Sequence, residues 1–129
     1  MTEHDEQKAL FEWAKMFENK LPQLKNLYSA PNGGLRHKAV AVKMKAEGVK
    51  AGVPDVCLAY PIGMIPGMYI EMKYGKNTTS DNQVDWLARL KEAGYYTCVC
   101  YSWEEAAREI CNYLRVDPEA YGVGEKERK

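Results

Sequence analysis

Apolar positions Leu10, Trp13, Ala14 and Phe17 recur at helical spacing, with Glu12, Lys15 and Glu18 opposite them, which predicts a first helix over residues 4–20 ended by Pro22. Residues 24–28 read as a short extended segment before the breaker cluster Ser29-Ala30-Pro31-Asn32-Gly33-Gly34. A second helix is expected over residues 35–47, with Ala39, Val42 and Ala46 on its apolar side and Gly48 as its stop. The pattern then changes. Residues 55–60 and 68–74 are apolar, β-leaning runs separated by the turn Pro61-Ile62-Gly63-Met64-Ile65-Pro66-Gly67. Ser80 and Gln83 have capping-box spacing and open a third helix whose buried stripe should be Val84, Leu87 and Leu90, with Trp86 at its margin. Residues 95–101 are the most β-like run of the chain. Ser102 then caps a last helix that turns Ala106, Ile110 and Leu114 inward.

The order is helix, strand, helix, strand, strand, helix, strand, helix. That predicts an α/β fold in which a small mixed sheet is flanked by helices, as a single domain over residues 1–118 with a frayed tail at 119–129. The strands at 55 and 68 should pair as a hairpin. The strand at 95 should join in parallel after a helical crossover.

Composition narrows the class without choosing a function. With 129 residues, 46% hydrophobic and 28% charged, the chain can bury a real core. No apolar stretch is long enough to span a bilayer, and the acidic start Thr2-Glu3-His4-Asp5-Glu6 is unlike a secretory leader, so a cytoplasmic location is expected. The four cysteines form no C-x-x-C pair and only two histidines are present, which argues against a structural zinc site and for reduced, buried thiols. Net charge is zero, yet Arg36, Lys38, Lys43, Lys45 and Lys50 lie near one another against Glu47 alone. A local basic face is therefore available.

The candidate chemistry lies between residues 52 and 73. Gly52-Val53-Pro54-Asp55 opens one strand, and Glu71-Met72-Lys73 closes the next. Alternation puts Tyr69, Glu71 and Lys73 on one face of the second strand and the apolar Ile70 and Met72 on the other. If the two runs pair, Asp55, Glu71 and Lys73 converge. Hard cations such as Mg²⁺ or Mn²⁺ take oxygen ligands, and Asp55, Glu71 and the Met72 backbone carbonyl could supply them. Such a site can acidify a water and stabilise charge on a phosphodiester under attack. Lys73 could orient that water, neutralise developing charge or accept a proton. A lone Glu-x-Lys on a strand is more often a solvated ion pair; Gly-Val-Pro-Asp one strand earlier reverses that judgement.

Pro54-Asp55 followed by Glu71-x-Lys73 resembles the PD-(D/E)xK nuclease signature. More narrowly, P-N-G-G (31–34), K-A-E-G-V-K-A-G-V-P-D (45–55), Y-I-E-M-K (69–73), Q-V-D-W-L (83–87) and A-G-Y (93–95) are similar to the VRR-NUC, or virus-type replication-repair nuclease, domain, in its free-standing phage form. The resemblance implies a restriction-endonuclease-like core and Mg²⁺- or Mn²⁺-dependent hydrolysis of DNA that leaves a 5′-phosphate. Asp55 and Glu71 match the metal-binding positions, Lys73 the catalytic lysine, and Gln83 a glutamine near the site; Gln83 also reads as a helix cap. A further acid on the first helix is implied. Glu6 fits that place best, with Glu3 and Glu12 as rivals.

Phosphate contacts need basic partners and close backbone approach. Gly33, Gly34, Arg36, His37 and Lys38 are the candidates, with Lys76, Lys43, Lys45 and Lys50 behind them. The resemblance to junction resolvases implies a homodimer acting on branched DNA such as a Holliday junction. Tyr28, Ile62, Met64, Ile65 and Met68 are apolar groups available for an interface. Three other readings stay open: a sequence-specific restriction-like nuclease, a DNA-binding or assembly module without catalysis, and an interaction domain that binds no nucleic acid.

Overall fold

Thr2 starts the first helix one residue earlier than the apolar pattern requires. Its hydroxyl accepts from the Asp5 amide at 3.1 Å, and the Asp5 carboxylate accepts from the Thr2 amide at 2.8 Å, closing a capping box on α1 (Glu3–Phe17). In the computed structural model, residues 1–30 and 38–124 are described. The segment expected to be extended at 24–28 is mostly a 3-10 turn, Pro22–Asn26, because Pro22 presets φ for the first position of a turn; only Leu27–Ser29 (β1) is strand.

With β2 (Val56–Leu58), β3 (Met68–Met72) and β4 (Tyr96–Cys100), β1 forms one sheet in the order β1-β2-β3-β4. The first two pairings are antiparallel and β3/β4 is parallel, so the expected hairpin and crossover strand are both present. The crossover is made by α3 (Asp81–Glu92), and α4 (Trp103–Tyr113) follows β4. This is the mixed α/β arrangement of restriction-endonuclease-like folds.

One sheet face carries the core. Val56, Leu58, Met68, Ile70, Met72 and Cys100 are buried there with Leu10, Trp13 and Ala14 of α1 and Ala106, Ile110 and Leu114 at α4. Met68 belongs to this interior and is no surface group. The four cysteines are free thiols. Residues 119–124 do not fray: Tyr121 and Val123 are buried, and the Tyr121 carbonyl accepts from the Trp13 indole at 2.8 Å. Large aromatic and apolar side chains with a place in the core outweigh proximity to the end of the chain.

The predicted inner side of α2 (Lys38–Ala46) and one position of the predicted α3 stripe are not buried. On α2 no residue is buried, so Ala39, Val42 and Ala46 do not pack inward. On α3, Val84 is 52% exposed. Gln83, Trp86, Leu87 and Leu90 form the half-buried side instead. The helix is rotated by polar anchors, since the Trp86 indole donates to the Ala51 carbonyl at 3.1 Å and Gln83 is held at the site.

Candidate metal centre

Among the described residues the buried charged side chains are Glu6, Asp55, Glu71 and Lys73, and the last three meet on the sheet face away from the core. Burying a charge costs several kcal/mol unless it is paired, so their convergence calls for a reason. The β2/β3 register pairs Val56 with Ile70, and one step further sets Asp55 beside Glu71.

Asp55 is fixed from two sides. Its Oδ2 accepts from the Met72 amide at 2.9 Å, and its backbone carbonyl accepts from Ala30 at 2.9 Å. The loop before it has a steric requirement. Gly52 adopts φ +86°, and a β-carbon there would lie 2.6 Å from the Asn82 β-carbon at the start of α3. Only glycine lets this loop approach the helix so closely.

Glu71 is fully buried. Its Oε2 accepts from the Gln83 amide nitrogen at 3.2 Å and lies 4.0 Å from Lys73 Nζ; its Oε1 has no hydrogen-bond partner among the described residues. Burial, above all, pushes its carboxyl up to about 9, and the adjoining Asp55 carboxyl adds to this while Lys73 opposes it. Lys73 Nζ donates to Gln83 Oε1 at 2.8 Å. That oxygen also accepts from the Ser80 amide at 2.8 Å. Gln83 therefore caps α3 and links both charged groups of β3.

The third acid is Glu3, the first residue of α1. One carboxylate oxygen each from Glu3, Asp55 and Glu71 lies within 4.8 Å of the others. Desolvation, then the Asp55 charge, raises the Glu3 pKa; Lys73 and a hydrogen bond with Asn77 oppose the shift. Glu6, the expected acid of this helix, is elsewhere. Its Oε1 accepts from the Trp103 amide at 2.9 Å and caps α4. Glu3 and Glu6 share a helix face, and the turn nearer the core belongs to Glu6. Reading Thr2-x-x-Asp5 as a capping box would have shown that Glu3 already lies in the helix. Glu12 is exposed on the far side.

Of the expected phosphate-binding residues, Lys38 and Lys76 are exposed, at the start of α2 and in the turn after β3. Gly33, Gly34, Arg36 and His37 lie outside the described residues.

The donor set suits a hard divalent cation. It is all oxygen, and no two of the three ligand atoms lie more than 4.8 Å apart, close to the ~4.2 Å between opposite ligands of an octahedral Mg²⁺. The unpartnered Glu71 Oε1 and the raised carboxyl mark a site with more negative charge than its own lysine offsets. A proton or a cation must make up the difference.

The family model for the VRR-NUC domain matches residues 1–104. The chain belongs to the VRR-NUC family. This is a nuclease family, and the matched span holds Glu3, Asp55, Glu71, Lys73 and Gln83. A solved structure of a VRR_NUC domain protein is 26% identical, with a TM-score of 0.75 and 89% of each chain covered. No curated protein matches the chain. Among the described residues, no helix of this VRR-NUC domain is long and apolar enough to cross a membrane.

Proposed function

We propose that the chain is a divalent-metal-dependent DNA endonuclease, selective for branched DNA and acting as a homodimer. The observation that carries this reading is the buried Glu71 carboxylate, with one oxygen unpartnered, between two further acids and a buried lysine. Glu3, Asp55 and Glu71 would hold Mg²⁺ or Mn²⁺, with the Met72 carbonyl as a further ligand. The bound ion would polarise the scissile phosphate and make a water acidic enough to attack it.

The chain's own groups do the rest. Asp55 is oriented by the Met72 amide, so its carboxylate keeps a fixed direction. Gln83 holds Lys73 beside the acids through one amide group, which limits the freedom of both side chains. The Lys73 ammonium faces the place where charge builds as the phosphodiester is attacked, and can offset that charge or orient the water there. Lys38 and Lys76 reach the flanking phosphates, with Gly33, Gly34, Arg36 and His37 contributing from the segment between β1 and α2. For the homodimer, Met64 is a large apolar group left exposed, at 98%. Ile62 and Ile65 mainly pair with each other and pack on the core.

Labelled four-way junction, flap, linear duplex and single-stranded DNA, each with Mg²⁺, Mn²⁺ or EDTA, test the proposal. Metal-dependent cutting of the junction is expected, abolished by Asp55→Asn and by Lys73→Ala. Binding without cutting under every metal condition would instead mark a DNA-binding module. A monomeric mass at micromolar concentration would remove the dimer and leave the hydrolysis intact.

A further inference from the structure

The sheet face that carries the acids has a second row. Asp55 lies beside Glu71, and two residues along the strands Tyr28 pairs with Cys57, which pairs with Tyr69. Strand alternation sets this row on the same face, about 7 Å from the acids. Tyr95 packs edge-on against Tyr69, with ring centroids 5.1 Å apart. Cys57 is buried between the two tyrosines in the register. Tyr28 keeps half of its surface exposed, although it sits in a strand. Nothing in the metal centre uses these groups.

The geometry points to this aromatic row as the seat of an unpaired nucleobase flanking the scissile phosphate, with Tyr28 as the ring on which it stacks. This rests on the nuclease reading above. A nucleotide whose phosphate lies at the acids has its neighbouring base within reach of a platform about 7 Å away on the same face. Stacking on an aromatic ring accepts any base, because every base has a π-face. A base inside a duplex is already stacked on its neighbours and does not compete for the tyrosine. The row therefore selects DNA with frayed or single-stranded bases next to the cut, which gives a physical source for selectivity toward branched structures.

The test measures anisotropy of a labelled single strand, a splayed-arm duplex and a blunt duplex, with Ca²⁺ replacing Mg²⁺, for wild type, Tyr28→Ala and Tyr28→Phe. Tyr28→Ala should weaken binding of the single strand and the splayed arm about tenfold while changing the blunt duplex less than about twofold. Tyr28→Phe should stay close to wild type, since it keeps the ring. Both variants should melt within a few degrees of wild type, because the residue is half exposed. Equal losses on all three DNAs, or none, would overturn the stacking role. So would a Tyr28→Ala protein that changes from dimer to monomer by light scattering, which would make this face a subunit interface. Wild type that neither binds nor cuts any of these DNAs defeats the nuclease reading and the stacking role together; wild-type cutting with unchanged Tyr28→Ala affinities defeats the stacking role alone.

Discussion

A carboxyl that keeps its proton up to about pH 9 turns cation binding at Glu71 into an exchange of proton for metal. The sign follows from the direction of the shift. The folded, metal-free protein retains a proton that the unfolded chain gives up above about 4.5, so this contribution to stability is complete below that pH. It fades as pH rises toward 9. Thermal melts without metal should lose ground steadily across that range, and the increase in Tm caused by Mg²⁺ should grow over the same range. Glu71→Gln should flatten both trends; a Mg²⁺ effect independent of pH would contradict the assignment. Glu3 and Glu6 can be separated by a second measurement. Glu3→Gln should weaken Mn²⁺ binding in calorimetry at least tenfold with little change in Tm. Glu6→Ala should lower stability by about 1 kcal/mol through the lost α4 cap, with a smaller effect on Mn²⁺. Asp55, Glu71 and Lys73 were legible from the chain because strand alternation leaves little choice of face. Glu3 was not, because helical periodicity fixes which residues share a side and leaves open which turn reaches past the core.

The loop at 51–54 and α3 work as one part. Gly52 and Asn82 touch so closely that Gly52→Ala meets an atom at 2.6 Å in addition to the cost of a positive φ. Gly48→Ala offers a matched control, since its φ is +99° and a β-carbon there would meet nothing within 4 Å among the described residues beyond its chain neighbours. Both should destabilise by about 1–3 kcal/mol from backbone strain alone. Gly52→Ala should fall further, and its remaining folded fraction should also lose cleavage, because the shift moves Gln83 away from Lys73 and Glu71. If the two glycine variants are equally active per folded molecule, α3 does not position the site. The existence, type and order of the elements were readable from periodicity and breakers. The inner faces of α2 and α3 were misread because the rule that apolar stripes point inward assumes a complete core on that side. Here Trp86 and Gln83 set the rotation of α3 through polar contacts.

At the scale of the whole molecule, the two sheet faces have divided roles. One is sealed by α1 and α4 and holds Leu10, Ile70 and Ile110 away from water; the other collects Asp55, Glu71 and Lys73 where β2, β3, α3 and the first turn of α1 come together. That partition was visible in the alternation of 68–73. The joining of Glu3 to Asp55 and Glu71 spans more than 50 positions of sequence and depends on how α1 crosses the sheet, which no local pattern encodes. The meeting has a practical side for anyone preparing the protein. Met1 stands only two residues ahead of Glu3. A hexahistidine tag joined at that end would bring imidazoles to the rim of the acidic cluster and disturb the Thr2 cap that seats the helix. Protein carrying such a tag should retain adventitious nickel or zinc by elemental mass spectrometry and respond weakly to added Mg²⁺, whereas the same tag placed after Lys129 should leave both properties as they are in the untagged chain.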